Sequence, residues 1–183
     1  GELQLTDYGI SGIPVFQVSR YASEALDRKK RVLAVLDFFP SLKDEELFLL
    51  LKEQRMYLSD RKAEGFLNGI FHKKLAALFL KAAGIRGEEM TGRLSDKKLL
   101  AAAELIKRTV VEVTAANSFD KAQVCMGGVR VKDVDPCTME SRLVPGLYFA
   151  GEILDVDGIC GGYNLQWAWS SGYAAGASAT GKE

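Results

Sequence analysis

The segment from Gly146 to Ala179 constrains the fold of this chain more than any other part of the sequence. An apolar run, Leu147 to Ala150, is followed at once by Gly151 and Glu152, and then by a glycine-rich loop. The run predicts a short buried strand, and the small and aromatic residues after the loop predict a helix beginning near Tyr163. This order is typical of an open α/β sheet, whose ligands bind beyond the carboxyl ends of the strands.

Three features of this segment suit a ligand. Gly151 permits close backbone approach, and the Glu152 carboxylate accepts hydrogen bonds from sugar hydroxyls. The start of the helix, Gly161 to Gln166, presents free N–H groups and the positive end of the helix dipole. A phosphate would suit that end, and so would the pyrimidine edge of a flavin.

The small residues of the helix leave two interpretations open. They lie on one predicted face, which would pack closely against a sheet or a cofactor: Ala168, Gly172, Ala175, Gly176 and Ala179. A tightly packed structural helix explains their spacing equally well.

The rest of the chain predicts strands at both ends of a helical region. Strands are expected over residues 2–6, 32–38 and 147–150 and in TVVEVTAA, QVCM and VRVKDV, and helices over 15–26, from Ser41 onward, over 70–83 and over 96–107. Ser41 and Ser95 are the predicted N-caps, and Gly84 is the predicted C-terminal glycine. Gly127 and Gly128 indicate either a close backbone approach or an ordinary hairpin.

Composition argues against several classes of protein. The chain has 24 basic and 24 acidic residues in 183, so no net charge favours nucleic acid or an anionic membrane. Cys125, Cys137 and Cys160 are widely spaced without a C-x-x-C pair, which favours reduced cytoplasmic thiols. No apolar run is long enough to span a membrane. The abrupt start at Gly1 indicates a piece cut from a longer protein.

Competing motifs are incomplete. Asp155 to Gly158 resembles the start of a calcium loop, but Gln166 stands where the last carboxylate ligand belongs. His72 is the only histidine and is predicted to be a surface residue, which leaves no His-based metal site or catalytic triad. The chain contains neither G-x-x-x-x-G-K-[ST] nor G-x-G-x-x-G.

Several motifs in order resemble the bacterial NAD(P)/FAD-dependent oxidoreductases, the flavoprotein family of aminoacetone oxidase-like proteins and bile-acid dehydro-reductases. The matching residues are Thr6 to Gly12, Gly127 to Val129, Met139 to Ser141, Gly146 to Glu152 and Asp157 to Gln166. The resemblance covers essentially the whole chain and is most specific in its C-terminal third.

The resemblance implies an α+β piece of a multi-domain α/β flavoprotein. Residues 1–40 would end a β-rich insertion domain, 41–108 would form a helical insertion subdomain, and 109–183 would return to the Rossmann-like FAD domain. Glu152 would bind the ribityl or pyrophosphate region of FAD. The isoalloxazine ring would be lined by Gly161, Gly162, Tyr163, Asn164, Leu165 and Gln166. Gly151 would bind the cofactor beside Glu152, and Gly127 and Gly128 would lie near the flavin.

The implied activity is hydride transfer through FAD, with NAD(P)H as the donor and a small organic substrate or oxygen as the acceptor. The partner would be the missing N-terminal half of the FAD domain, and homodimerisation stays open. The residues do not identify a catalytic acid or base; Cys160 and Tyr163 are weak candidates. The alternative is a non-catalytic helical module that caps the substrate pocket or mediates protein contacts.

Overall fold

The computed structural model describes residues 1–181, which form two compact units. One unit spans residues 33–113. The other combines residues 1–32 with the chain from Thr114 onward. The three-segment division expected from the sequence stays a prediction.

The chain begins with a hairpin and a helix. Strands β1 (Gln4–Thr6) and β2 (Gly9–Ser11) pair antiparallel, with Leu5 opposite Ile10. Helix α1 (Ile13–Asp27) follows directly. Gly12 precedes α1 at φ +100°, and a Cβ there would lie 2.3 Å from the Glu2 carbonyl oxygen, so only glycine allows this tight connection.

The 33–113 unit is a three-helix cluster closed by two paired strands. Strand β3 (Val32–Leu36) leads to α2 (Asp44–Tyr57), α3 (Lys73–Ala82) and α4 (Asp96–Lys107), and the unit ends with β4 (Thr109–Val113) beside β3. The apolar sides of the three helices meet in one core. Its largest fully buried side chains are Leu47, Leu51, Phe66, Leu67, Phe79, Leu99 and Ile106. Each such side chain stabilises the unit by about 1.5–3 kcal/mol.

The caps of these helices were partly predictable. Helix α4 has the predicted bounds, and Ser95 Oγ accepts from the Lys98 amide at 3.4 Å. The prediction that Ser41 caps α2 was wrong. Lys43 is the N-cap, and its amide donates to the Glu46 side chain inside the helix at 2.7 Å, so the cap lies two residues after Ser41.

Helix α3 is shorter than predicted. It begins at Lys73 rather than Ile70, because residues 65–71 are held in turns. Exposed His72 is its N-cap, with Nδ1 3.4 Å from the Lys74 amide nitrogen. Gly84 follows the helix at φ +69°, as its predicted role requires.

The strands predicted after β4 are not formed. QVCM is irregular, VRVKDV contains a 3-10 turn at Val131–Asp133, and residues 147–150 make one bridge, between Tyr148 and Glu140. Alternating side chains favour extended backbone, but a strand also needs a neighbouring backbone along its length. The described chain supplies such a neighbour only at isolated positions here.

Helix α5 (Tyr163–Thr180) begins where the sequence predicts. Of its predicted face of small residues, Ala175 is buried, as is Ser171, while Gly172 and Gly176 are exposed, and close packing of this face on a cofactor stays a prediction. The buried face instead packs through Trp167 and Ala174 against Leu154 and its neighbours. None of the helices among residues 1–181 is long and apolar enough to cross a membrane.

Candidate functional site

Gly151 directly follows the Leu147–Ala150 segment and is hydrogen-bonded to helix α5. It is buried at φ +72°; its amide donates to Ser171 Oγ at 2.9 Å, and its carbonyl accepts from Trp167 Nε1 at 3.2 Å. Ser171 in turn donates to the Trp167 carbonyl at 2.6 Å. Because both polar groups of Gly151 bond to α5, the glycine fixes where this helix lies against the segment before it.

Gly128 lies against the residues that follow Gly151. A Cβ at Gly128 would be 2.4 Å from the Ile153 carbonyl oxygen, so the close backbone approach is confirmed and an ordinary hairpin is not formed. Next to it, Val129 and Leu154 form a parallel bridge. The Val129 amide donates to the Ile153 carbonyl at 2.8 Å, and the Val129 carbonyl accepts from the Asp155 amide at 2.9 Å. Gly127 has φ +95° and open space where a Cβ would be.

The Glu152 carboxylate has a partner within the chain. Its Oε1 accepts from the Cys125 amide at 2.7 Å, which ties the Gly127–Gly128 turn to the segment after Gly151. One carboxylate oxygen therefore positions the loop. The site residues Gly127, Gly128, Gly151 and Glu152 are thus brought together.

The loop before α5 is closed by Asn164. Its side-chain oxygen accepts from the Gly158 amide at 2.7 Å, and its side-chain nitrogen donates to the Gly158 carbonyl at 3.0 Å. A Cβ on Gly158 would lie 3.1 Å from Tyr163 Cβ, so the glycine leaves room for this contact. Asn164 thus acts as a clamp on its own loop, a role that the sequence did not suggest.

The start of α5 is open to solvent. Gly161 and Gly162 have φ values of +134° and +90°, and the first helical hydrogen bond runs from the Gln166 amide to the Gly162 carbonyl. The amides of residues 163–165 therefore precede the intrahelical pattern and face the helix end. Tyr163 and Leu165 are 59% and 62% exposed, and the Gln166 side chain donates to Ser170 Oγ at 2.9 Å.

These features fit the flavin end of FAD. A helix N-terminus with unpaired amides and a positive dipole favours the electron-rich pyrimidine edge. Gly162, at positive φ in front of it, has open space where a Cβ would be, whereas a Cβ at Gly161 would lie 3.5 Å from the Tyr163 ring. Exposed Tyr163 and Leu165 offer flat or apolar contacts. The roles assigned to individual residues stay predictions.

Besides the Asn164 clamp, two features of the site were missed from the sequence. Arg20 of α1 forms an ion pair with Asp157, at the entrance of the loop that Asn164 closes. No local pattern could indicate it, because the two residues are 137 positions apart. Ser171 had a weaker signal: it is a polar residue four positions after Trp167, on the face that becomes buried.

In the unit that holds the candidate site, the Cys137 and Thr138 amides lower the pKa of Asp135 by hydrogen bonding to its carboxylate. Asp135 thereby stabilises a turn. Nothing in its geometry points to acid–base chemistry.

Residues 82–178 match the family described as "HI0933-like protein Rossmann domain", and residues 1–124 match "HI0933-like protein barrel and H2TH domain". The chain belongs to the HI0933-like family. The resemblance to flavoprotein oxidoreductases is thereby confirmed, and so is a mixed α/β architecture with a Rossmann-like part.

Three curated relatives align along nearly the whole chain. The 3-dehydro-bile acid delta(4,6)-reductase of Clostridium scindens is 43% identical over 98% of this chain and 44% of its own length. The ribosomal RNA dihydrouridine synthases of Haemophilus influenzae and Escherichia coli are 34% and 32% identical, over 97% and 94% of this chain and 42% and 40% of their own lengths. The chain therefore spans less than half the length of the curated relatives it matches.

Proposed function

We propose that this chain is part of an FAD-dependent reductase that uses NAD(P)H to saturate a carbon–carbon double bond in a small organic substrate. The observation that carries the proposal is the open start of α5 behind two positive-φ glycines, in a chain of the HI0933-like family. Bound FAD would supply hydride transfer. The chain's residues would hold and orient it.

Individual residues would divide this work. The amides at the start of α5 would bind the pyrimidine edge, while Gly161 and Gly162 would let the ring approach the backbone. Glu152 would accept from the ribityl hydroxyls while keeping its hydrogen bond from the Cys125 amide. Asn164 would contribute indirectly by keeping the loop closed through Gly158.

The names of the relatives support this reaction class. Delta(4,6)-reduction of a 3-dehydro bile acid and formation of dihydrouridine both saturate a double bond conjugated to a carbonyl. We favour a small molecule because the bile-acid reductase has the higher identity and the chain has no net charge. Several cations are also paired internally, including Arg55 with Asp96 and Arg142 with Asp135. Those arginines are less free to bind phosphates.

The test uses the full-length protein, with its complete FAD domain. It should purify yellow or take up FAD, and it should oxidise NADH or NADPH when given a conjugated steroid ketone. Unmodified ribosomal RNA is the competing substrate in the same assay. A colourless protein that takes up no FAD would refute the proposal. Turnover on RNA alone would mean that the substrate is RNA and not a small molecule.

Glu152 offers a sharper test of the cofactor site. Glu152→Ala should raise the Kd for FAD by about tenfold or more, because a hydrogen bond to a charged group is lost. Glu152→Gln keeps an acceptor for the Cys125 amide and should have a smaller effect. Glu140→Ala is the matched control, since its carboxylate also accepts a backbone amide, from Gly146 at 2.7 Å. Equal losses in the Glu140 and Glu152 variants would mean that loop order, and not FAD contact, is measured.

A further inference from the structure

The ion pair between Arg20 and Asp157 connects two distant parts of the sequence. Arg20 lies in the middle of α1, within the residues that match the barrel and H2TH description. Asp157 lies only in the match to the Rossmann domain. The guanidinium Nη1 donates to Asp157 Oδ1, so a side chain from one sequence segment is bonded to a side chain of the other.

The position of Asp157 gives this contact its importance. It directly precedes Gly158, both of whose backbone polar groups are bonded by Asn164. The loop from Asp157 to Gly162 is therefore fixed at two places: inside, by the Asn164 clamp, and at its entrance, by Arg20. Gly161 and Gly162 lack a Cβ that would restrict the backbone, so the loop depends on contacts of this kind to hold one conformation.

The pair is also shielded better than an ordinary surface pair. The Asp157 side chain is 17% exposed and that of Arg20 is 38% exposed, whereas Arg28 and Glu24 on the same helix are 62% and 43% exposed. Water and salt screen charges less as they become buried, so the Arg20–Asp157 pair retains more of its attraction. The guanidinium also lies 5.8 Å from the centre of the Tyr21 ring, which restricts its orientation.

We propose that Arg20 is a positioning residue for the flavin loop: through Asp157 it holds the loop, and with it the start of α5, in the arrangement that receives FAD. The same contact neutralises a carboxylate beside that loop. This inference rests on the proposed function, since it presumes that the loop contacts FAD.

The variants separate charge from position. In the full-length protein, Arg20→Gln should raise the Kd for FAD by about tenfold, which is typical of removing one member of a coupled pair. It should also lower the flavin midpoint potential, because an uncompensated Asp157 carboxylate disfavours the more negative reduced flavin. Arg20→Lys keeps the charge and should restore most of the potential. The double variant Arg20→Gln with Asp157→Asn should restore the potential but not the affinity.

Arg28→Gln is the matched control. It makes the same change on the same helix and breaks the ion pair with Glu24, which does not involve the loop. Its FAD affinity and midpoint potential should equal those of the wild type. If Arg28→Gln and Arg20→Gln behave alike, the stability of α1 is being measured, and the positioning role is wrong.

A readout without FAD separates this inference from the proposed function. Hydrogen exchange of the amides in residues 155–166 of the apo protein should be faster in Arg20→Gln than in the wild type and unchanged in Arg28→Gln. Faster exchange in a protein that never binds FAD would refute the function while the loop contact stands. Unchanged exchange, affinity and potential in a protein that does bind FAD would overturn the positioning role alone.

Discussion

At the residue scale, the buried Ser171 hydroxyl is the hydrogen-bond acceptor of the Gly151 amide. Ser171 is 2% exposed, and Gly151 is buried as well. Ser171→Ala removes that acceptor without adding bulk, so the amide stays buried without a partner. The expected loss is about 1–3 kcal/mol in the free energy of unfolding.

The loss can be measured by urea unfolding followed by tryptophan fluorescence, since both tryptophans, Trp167 and Trp169, lie in α5. Ser170→Ala is the control: that hydroxyl is exposed and bonds only the side chain of Gln166 among the described contacts. Its effect should stay within about 0.5 kcal/mol. Equal midpoints for the two variants would show that the Gly151 amide finds another acceptor.

The roles of the glycines could be predicted from the sequence, whereas those of the polar side chains could not. Gly127 and Gly128 were predictable because a pair of glycines signals positive φ or close approach, and the structure has both. The amide clamp of Asn164 and the hydroxyl of Ser171 were not, because a polar side chain can bond many groups in an unknown fold. Choosing among those groups requires the tertiary structure.

At the element scale, local signals were sufficient where an element stabilises itself. Helix α4 has a serine cap and a regular apolar stripe, and its bounds were predicted correctly. The runs QVCM and VRVKDV carry an alternation that favours strands, but the structure leaves them irregular. A helix satisfies its own backbone, whereas a strand depends on another segment whose position the local sequence does not specify.

At the element scale, the contribution of Glu89 to the stability of the 33–113 unit should depend on pH. Hydrogen bonds from Lys98 Nζ at 2.6 Å and from the Arg86 amide at 2.9 Å lower the pKa of Glu89 from 4.5 to about 2. Because the folded pKa lies below the unfolded one, the stabilisation is present above pH 4.5 and is lost as the pH falls towards 2. Glu89→Gln should therefore destabilise the 33–113 unit at neutral pH, with a difference that shrinks across this window.

Hydrogen exchange of amides in residues 59–100, between pH 2.5 and pH 7 and corrected for intrinsic rates, would measure this difference. Glu88→Gln makes the same change at an exposed neighbour and should leave protection nearly unchanged at every pH. A constant difference between wild type and Glu89→Gln across the range would mean that the carboxylate's charge is not what stabilises the unit.

At the scale of the whole molecule, the two units differ in the size of their apolar cores. The 33–113 unit has a continuous apolar core of its own. The residues around Gly151 have a smaller one, built from Val134, Met139, Leu154 and Ala175. The first unit should consequently fold more stably than the second.

The glycine fingerprint that binds a dinucleotide pyrophosphate at the first strand of a Rossmann domain is missing from these 183 residues. In the proposed function the start of α5 contacts the flavin end of FAD, and the adenosine would find no glycine fingerprint in these residues. We therefore predict that the 183-residue chain, purified alone, binds no stoichiometric FAD and does not oxidise NAD(P)H, while the full-length protein does both.

Absorbance at the flavin band after dialysis against FAD measures binding, and protected amides in the 33–113 unit show that the chain is folded. A folded yellow chain would mean that the α5 end supplies most of the binding free energy; a folded colourless chain beside a yellow full-length protein is expected, because each end of FAD needs its own half of the site.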